Sequence, residues 1–217
     1  MNRTIGLLTV LWLAVAGMSV TGCRTAYYAA YEKLGVQKRD LLKKRVVEAR
    51  DEQKEAQEQF KDALTRLKEI TRFDGGKAEQ AYNGLKRDYE DCTQQADSVR
   101  KRIRSVETVA SDLFAEWEKE IGQINTASLR DSSRQRLTET RQRYQELHTA
   151  LVNAENSMAP VLSQFSDYVL YLKHNLNAQA IASLKGETAS IQEEISRLLD
   201  QMNRSIARAD EFVKTLQ

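Results

Sequence analysis

Residues 82–124 read YNGLKRDYEDCTQQADSVRKRIRSVETVASDLFAEWEKEIGQI, and the spacing of their apolar members decides the fold. Tyr82, Tyr89, Ala96, Ile103, Ala110, Trp117 and Ile124 stand seven residues apart. Leu85, Cys92, Val99, Val106 and Leu113 fill the alternate set, with Glu120 as the one charged exception. A spacing of 3.5 sustained over six heptads predicts a supercoiling α-helix. From Lys77 to Ile124 such a helix is roughly 70 Å long.

The same periodicity extends outward on both sides. Before it, Leu42, Val46, Ala49, Gln53, Ala56, Phe60, Ala63, Leu67 and Ile70 alternate by four and three, ahead of a turn signal at Phe73-Asp74-Gly75-Gly76. The alanines make this stripe narrow, which lets neighbouring helices approach closely. After it, Asn125-Thr126-Ala127-Ser128 interrupts the pattern, and Ser128-Leu129-Arg130-Asp131 offers a weak capping box. A third run then sets Leu137, Tyr144, Leu151, Met158, Phe165 and Leu172 seven apart, with Leu147, Ala154, Val161 and Tyr168 between them. Pro160 lies inside this run, yet the phase agrees on both sides, which predicts a kink and not a reversal. The last run is Ile191, Ile195, Leu198, Met202, Ser205, Ala209, Phe212 and Leu216. Its phase is offset by two residues, which neither a stutter nor a stammer produces. A break is therefore expected near Gly186, with Ser190-Ile191-Gln192-Glu193 as the capping box of a separate helix.

These stripes use about three positions in seven, more than a two-stranded seam needs. The expected fold is all-α: an elongated antiparallel, coiled-coil-like bundle of three to four long helices, with residues 38–217 as one domain. Composition agrees. In 217 residues there is one proline, 29% of residues are charged and only 7% are aromatic, a balance that suits long helices. With 33 basic against 31 acidic residues there is no field to draw nucleic acid. Two cysteines and two histidines build neither a disulfide framework nor a His-rich metal site.

The first residues carry a different signal. Met1-Asn2-Arg3-Thr4 is followed by the uncharged stretch IGLLTVLWLAVAGM (5–18), too short to span a bilayer and suited to the apolar part of a secretory signal. Val20-Thr21-Gly22-Cys23 resembles the lipobox of bacterial lipoproteins: a branched residue, two small ones and a cysteine. The resemblance implies a signal peptide over residues 1–22, cleavage before Cys23, and acylation at Cys23. In lipoproteins of Gram-negative bacteria an aspartate after the cysteine marks inner-membrane retention, so Arg24 implies sorting to the outer membrane. Two or more acyl chains hold a protein stably at a membrane. Residues 23–37 form a tether in which Tyr27, Tyr28 and Tyr31 either sit at headgroup level or cap one end of the bundle.

Chemistry is sparse. Cys92 falls on a core position, where a thiol behaves as a small hydrophobe. His148 and His174 have no ligand-spaced partner. Arg134, Arg136, Arg141 and Arg143 flank the third stripe, where such charges usually meet acids on a neighbouring helix; the other reading is a face for anionic lipid headgroups or cell-wall polymer, to which the net charge lends no support. The segment from Tyr168 to Leu184 is the exception. Asn175 and Gln179 take positions that hydrophobes hold elsewhere, which reads either as a register device or as a surface where a partner docks. Tyr168, Tyr171, Lys173, His174, Asn175, Asn177 and Gln179 are the candidate partner residues. No catalytic, cofactor-binding or metal-ligating set emerges.

AYYAAYEKLGVQKRDLL (26–42), FDGG (73–76), LFAEWEKEI (113–121), RQRYQEL (141–147) and YLKHNLNAQAIASLKGE (171–187) resemble a bacterial lipoprotein family known as domain of unknown function 2959. That resemblance implies an all-helical envelope lipoprotein and brings no activity. The expectation is a non-enzymatic periplasmic scaffold or adaptor, held at the outer membrane through Cys23, whose partner is an envelope protein or a second copy. The alternative is a bundle that binds or shapes membrane directly.

Overall fold

The computed structural model describes Tyr28, residues 37–70 and residues 78–216. The leader, Cys23, Arg24, Tyr27, Tyr31 and the Phe73–Gly76 turn lie outside the described residues. From residue 37 on, the described residues form five α-helices in order: α1 (Lys38–Ile70), α2 (Ala78–Ile121), α3 (Ala127–Asn156), α4 (Met158–His174) and α5 (Ala178–Thr215). Among the described residues there is no strand, and no helix is long and apolar enough to cross a membrane.

Helices α3 and α4 act as one rod, so the five helices make a four-rod antiparallel bundle. α1 packs along α2, α2 along α3 and α4, and these against α5, which returns beside α1. Named pairs give the directions. Along α1 and α2, Lys38 meets Glu116, Arg102 reaches Glu48 and Glu52, and Arg66 meets Asp88, so one chain ascends as the other descends. Arg100–Glu155 and Arg141–Glu118 do the same for α2 and α3, as do Arg50–Asp210 and Gln57–Asn203 for α1 and α5.

The core is built mainly from the stripes read from the sequence. In α1, every stripe position from Leu42 to Leu67 is buried, Gln53 among them. In α5 each of the eight positions from Ile191 to Leu216 is buried. The prolyl region behaves as a kinked rod. Ser157 keeps right-handed helical angles, and its amide and hydroxyl both donate to the Asn153 carbonyl, at 3.1 and 2.8 Å. Pro160 stands in the first turn of α4, where its missing N–H costs little. The stripe runs through it without losing step: Leu151, Ala154, Met158, Val161 and Phe165 are all buried.

Three local expectations need correction. The reversal before the last helix is not at Gly186 but at residues 175–177, and Gly186 lies inside an unbroken α5. Asn175 closes α4 and Asn177 opens α5, its side chain accepting from the Ala180 amide at 2.9 Å, so the capping-box reading of Ser190 is superseded. A Cβ placed on Gly186 meets nothing within 4 Å, so this glycine sits on an open face. Continuous burial of Ile181, Leu184 and Ile191 outweighs its weak helix propensity of about 1 kcal/mol. At the other junction Thr126, not Ser128, precedes the first turn of α3, and it makes no side-chain cap. Finally, α2 ends at Ile121, and its buried face drifts over its last three turns. Val109, Phe114 and Ile121 are buried while Leu113 and Trp117 are only half covered. A straight helix slips by about 20° per heptad against a 3.5 repeat, and here that slip is not absorbed.

Candidate functional site

Both ends of the bundle, and not its flanks, carry the unusual surfaces. Four large apolar side chains stand exposed among the described residues: Leu129 at 62%, Leu170 at 54%, Leu176 at 47% and Tyr171 at 39%. Leu129 is in the first turn of α3. The other three gather at the α4–α5 turn, which lies at the opposite end.

At the α4–α5 end the sequence pattern explains the exposure. Tyr168 and Leu172 are in phase and buried, so Leu170 and Tyr171 between them point away from the core. The polar candidates separate into two groups. Tyr168 turns inward, donating its hydroxyl to the Glu187 carbonyl at 3.1 Å, and burial raises its pKa. Asn175 donates its side-chain amide to the Tyr171 carbonyl at 3.0 Å, and Asn177 caps α5, so both define the turn. Asn175 therefore ends a helix and does not sit in a polar seam. Tyr171, Lys173, His174, Asn177 and Gln179 are exposed, beside Leu170 and Leu176. Neither leucine was singled out from sequence, although an apolar residue out of phase with its stripe is the signal that marks Leu170. A hollow of about 200 Å³ opens nearby, with Ile70, Ala81 and Ile181 in its wall and Arg66 and Arg87 at its edge.

The opposite end holds a cleft of about 780 Å³ between the start of α1, the end of α2, α3 and the end of α5. Trp117, Leu113 and Leu216 supply its apolar wall, and Arg136, Arg143 and Glu139 project from α3. Its chemistry is quiet. Thr140 and Thr215 donate their hydroxyls to the carbonyls of Arg136 and Phe212. Glu116 pairs with Lys38, Glu139 accepts from Gln135, and the Trp117 indole donates to Ser133 at 2.9 Å. Here both hydroxyls serve their own helices, and Glu116 and Glu139 serve partners. Tyr28 is seated at this end. Its hydroxyl donates to Asp112, and the Lys38 ammonium lies 4.8 Å from its ring centroid. Of the two readings of the tyrosine tether, Tyr28 follows the one in which it packs on the bundle.

Other singled-out groups are structural. His148 shares a 2.7 Å contact with Glu107 and stacks near Tyr144, whose hydroxyl is pushed up to about 12 by burial. Tyr144 meets Phe114 edge-on and approaches Phe212, tying α2, α3 and α5 together. Arg141 reaches across to Glu118 as expected of a flanking charge, whereas Arg134 pairs with Asp131 of its own helix. Among the described residues no group of three or more metal-ligating side chains converges. Cys92 is fully buried, and desolvation, with Asp88 and Asp91 adding to it, pushes its thiol up to about 12. Below that pH it stays protonated, and a protonated, covered thiol is a poor nucleophile. In native protein Cys92 is therefore expected to ignore a water-soluble disulfide reagent and to react stoichiometrically once unfolded in urea. Rapid native labelling at neutral pH would contradict its burial.

The family described as "Protein of unknown function (DUF2959)" matches residues 27–216. No curated protein and no solved structure matches the chain.

Proposed function

The chain belongs to the DUF2959 family, and we propose that it is a non-enzymatic, lipid-anchored scaffold or adaptor that docks an envelope protein on the tip formed by α4 and α5. Acyl chains on Cys23 hold the other end at the periplasmic face of the outer membrane, as the lipobox and Arg24 suggest. One observation carries this reading: Leu170, Tyr171 and Leu176 are exposed together on a single turn. Apolar side chains gathered at one exposed place mark contact with another body more often than chance exposure does. Their setting supports a partner that is itself partly apolar and tolerates the neighbouring Lys173 and His174. The long bundle supports a mechanical role. From Asp112, where Tyr28 is seated, to the start of α2 is about 51 Å at the helical rise. The tip is thus held well away from the anchored end.

The test is photocrosslinking in living cells from a probe at Tyr171, with mass spectrometry of the products. A single recurrent envelope protein is expected, and the product should disappear in a Leu170→Glu/Leu176→Glu variant. Both leucines are exposed, so that variant keeps its fold, which a thermal melt checks. Products confined to lipid, or an unselective ladder unchanged by the variant, would overturn the adaptor reading.

Leu129 favours a second reading, direct membrane contact by the bundle. It belongs to the opposite end and does not compete for the same surface.

A further inference from the structure

We infer that the α2–α3 turn is a membrane-contact tip, which enters the headgroup region of the same membrane that holds the acyl chains and stands the bundle upright. The inference rests on the anchoring of Cys23 proposed above and deepens it.

Three observations converge. First, Tyr28 fixes where the tether meets the bundle, through Asp112 on α2 and the Lys38 ammonium at the start of α1. Five Cα–Cα steps separate Cys23 from Tyr28 and span at most about 18 Å. From Asp112 to the end of α2 at Ile121 is about 14 Å along the helix. An acylated Cys23 therefore reaches the level of the α2–α3 turn but not that of the α4–α5 tip, about 51 Å the other way.

Second, residues 121–129 (IGQINTASL) carry no charge, in a chain where 29% of residues do. Leu129 is the most exposed large apolar side chain among the described residues, and Ile124 beside it is half exposed. Lys119 and Glu120 precede this stretch and Arg130 and Asp131 follow it, the arginine donating to the Ile124 carbonyl at 3.4 Å, while Asp131 is paired with Arg134 and Glu118 with Arg141. An uncharged tip carrying an exposed leucine, with acids and bases balanced at its borders, enters a lipid headgroup region at less desolvation cost than the charged flanks do.

Third, among the described residues the flanks give no rival face. None of the four large exposed apolar side chains lies along the sides of the rods, where acids and bases alternate. Lying flat would press those solvated charges against lipid and gain no apolar burial.

The experiment uses the full-length acylated protein in vesicles of phosphatidylethanolamine and phosphatidylglycerol. A fluorophore is attached at Leu129→Cys or at Leu176→Cys, since buried Cys92 does not compete for label. Spin-labelled lipids should quench the label at 129 about twofold or more and leave that at 176 unchanged, whereas aqueous iodide should do the reverse. Iodide quenching both labels alike would overturn the inference, because the tip would then be in water. Lipid quenching of both would overturn it too, because the bundle would lie flat, and so would protection of 129 from both quenchers, which means a protein covers it. Mass spectrometry of the N-terminal peptide separates the two readings. An unacylated Cys23 in cells sinks the anchor itself, while an acylated Cys23 with Leu129 in water sinks only the tip.

Discussion

Replacing Gln53 with leucine is expected to raise the stability of the bundle by about 1–3 kcal/mol, the cost of burying an amide without hydrogen bonds. Gln53 is fully buried on the stripe of α1, and neither its side-chain oxygen nor its nitrogen has a partner among the described residues. Ser205 on α5 is equally buried, with its hydroxyl also unpartnered. The two belong to the same level of the seam, bracketed by Arg50–Asp210 on one side and Gln57–Asn203 on the other. Leucine matches glutamine closely enough in volume for the layer to accept it with little overpacking. Urea unfolding at an unchanged slope measures the gain. A loss of stability would show that the amide is hydrogen-bonded in solution. A gain accompanied by mixed species would show that the polar layer selects the register, as single polar residues do in coiled-coil seams.

Removing the Arg66 side chain should act in the opposite sense, costing about 2–3 kcal/mol. The Asp88 side chain is only 5% exposed, and among the described residues its ion-pair partner is Arg66 across the α1–α2 seam, at 2.6 Å. Its other oxygen is buried with no hydrogen bond among the described residues. Arg66→Ala leaves a covered carboxylate with neither partner nor free access to water. The figure stands below the usual range for a broken buried pair because Arg66 itself is 44% exposed. An Arg66→Ala/Asp88→Leu double variant should recover most of the loss, since an apolar pair of similar size fills the space without a charge. A double-mutant cycle by denaturant unfolding checks this, and strictly additive losses would refute coupling. The Asp88 hydrogen bond raises the Arg66 pKa above its already high ordinary value. For a cation raised on folding, the contribution is complete below the unfolded pKa and fades only above it. Loss of the guanidinium charge therefore plays no part in the neutral range, and the penalty of Arg66→Ala there is one of missing partner, not of titration.

The heptads made nearly all of the core legible, because a bundle's interior is a one-dimensional pattern repeated along each rod. Pro160 did not hide it, since phase survives a kink. The turn between the last two rods was harder to place. The phase offset of two residues was a sound sign of a reversal, but Gly186 was the more conspicuous punctuation. The fine reading was available: Ile181, Leu184 and Thr188 continue the four-and-three spacing of Ile191 and Ile195 backwards without a gap. Thr188 is half buried but polar, and so drops out of a search for apolar residues. Asn175, which reads as an odd member of a seam, and Asn177, which reads as a partner residue, are caps, which is where such side chains satisfy the orphan amides and carbonyls of helix ends. The end surfaces were only half legible. Tyr171, Lys173 and His174 were marked by their unusual neighbourhood, whereas Leu176 and Leu129 emerge only when the rods are set side by side. The seating of Tyr28 against Asp112 spans 84 positions of sequence, and no local pattern announces it.

The antiparallel course of the rods fixes how the molecule bears load. Tyr28 and the α4–α5 turn are at opposite ends, so tension between an anchor and a partner at that turn runs parallel to the helix axes. All layers of the seams then resist together, in shear. Tension between the start of α1 and the end of α5, which share an end, would open the bundle one layer at a time. A protein fastened at Tyr28 and gripped at Leu176 is pulled along its stronger direction.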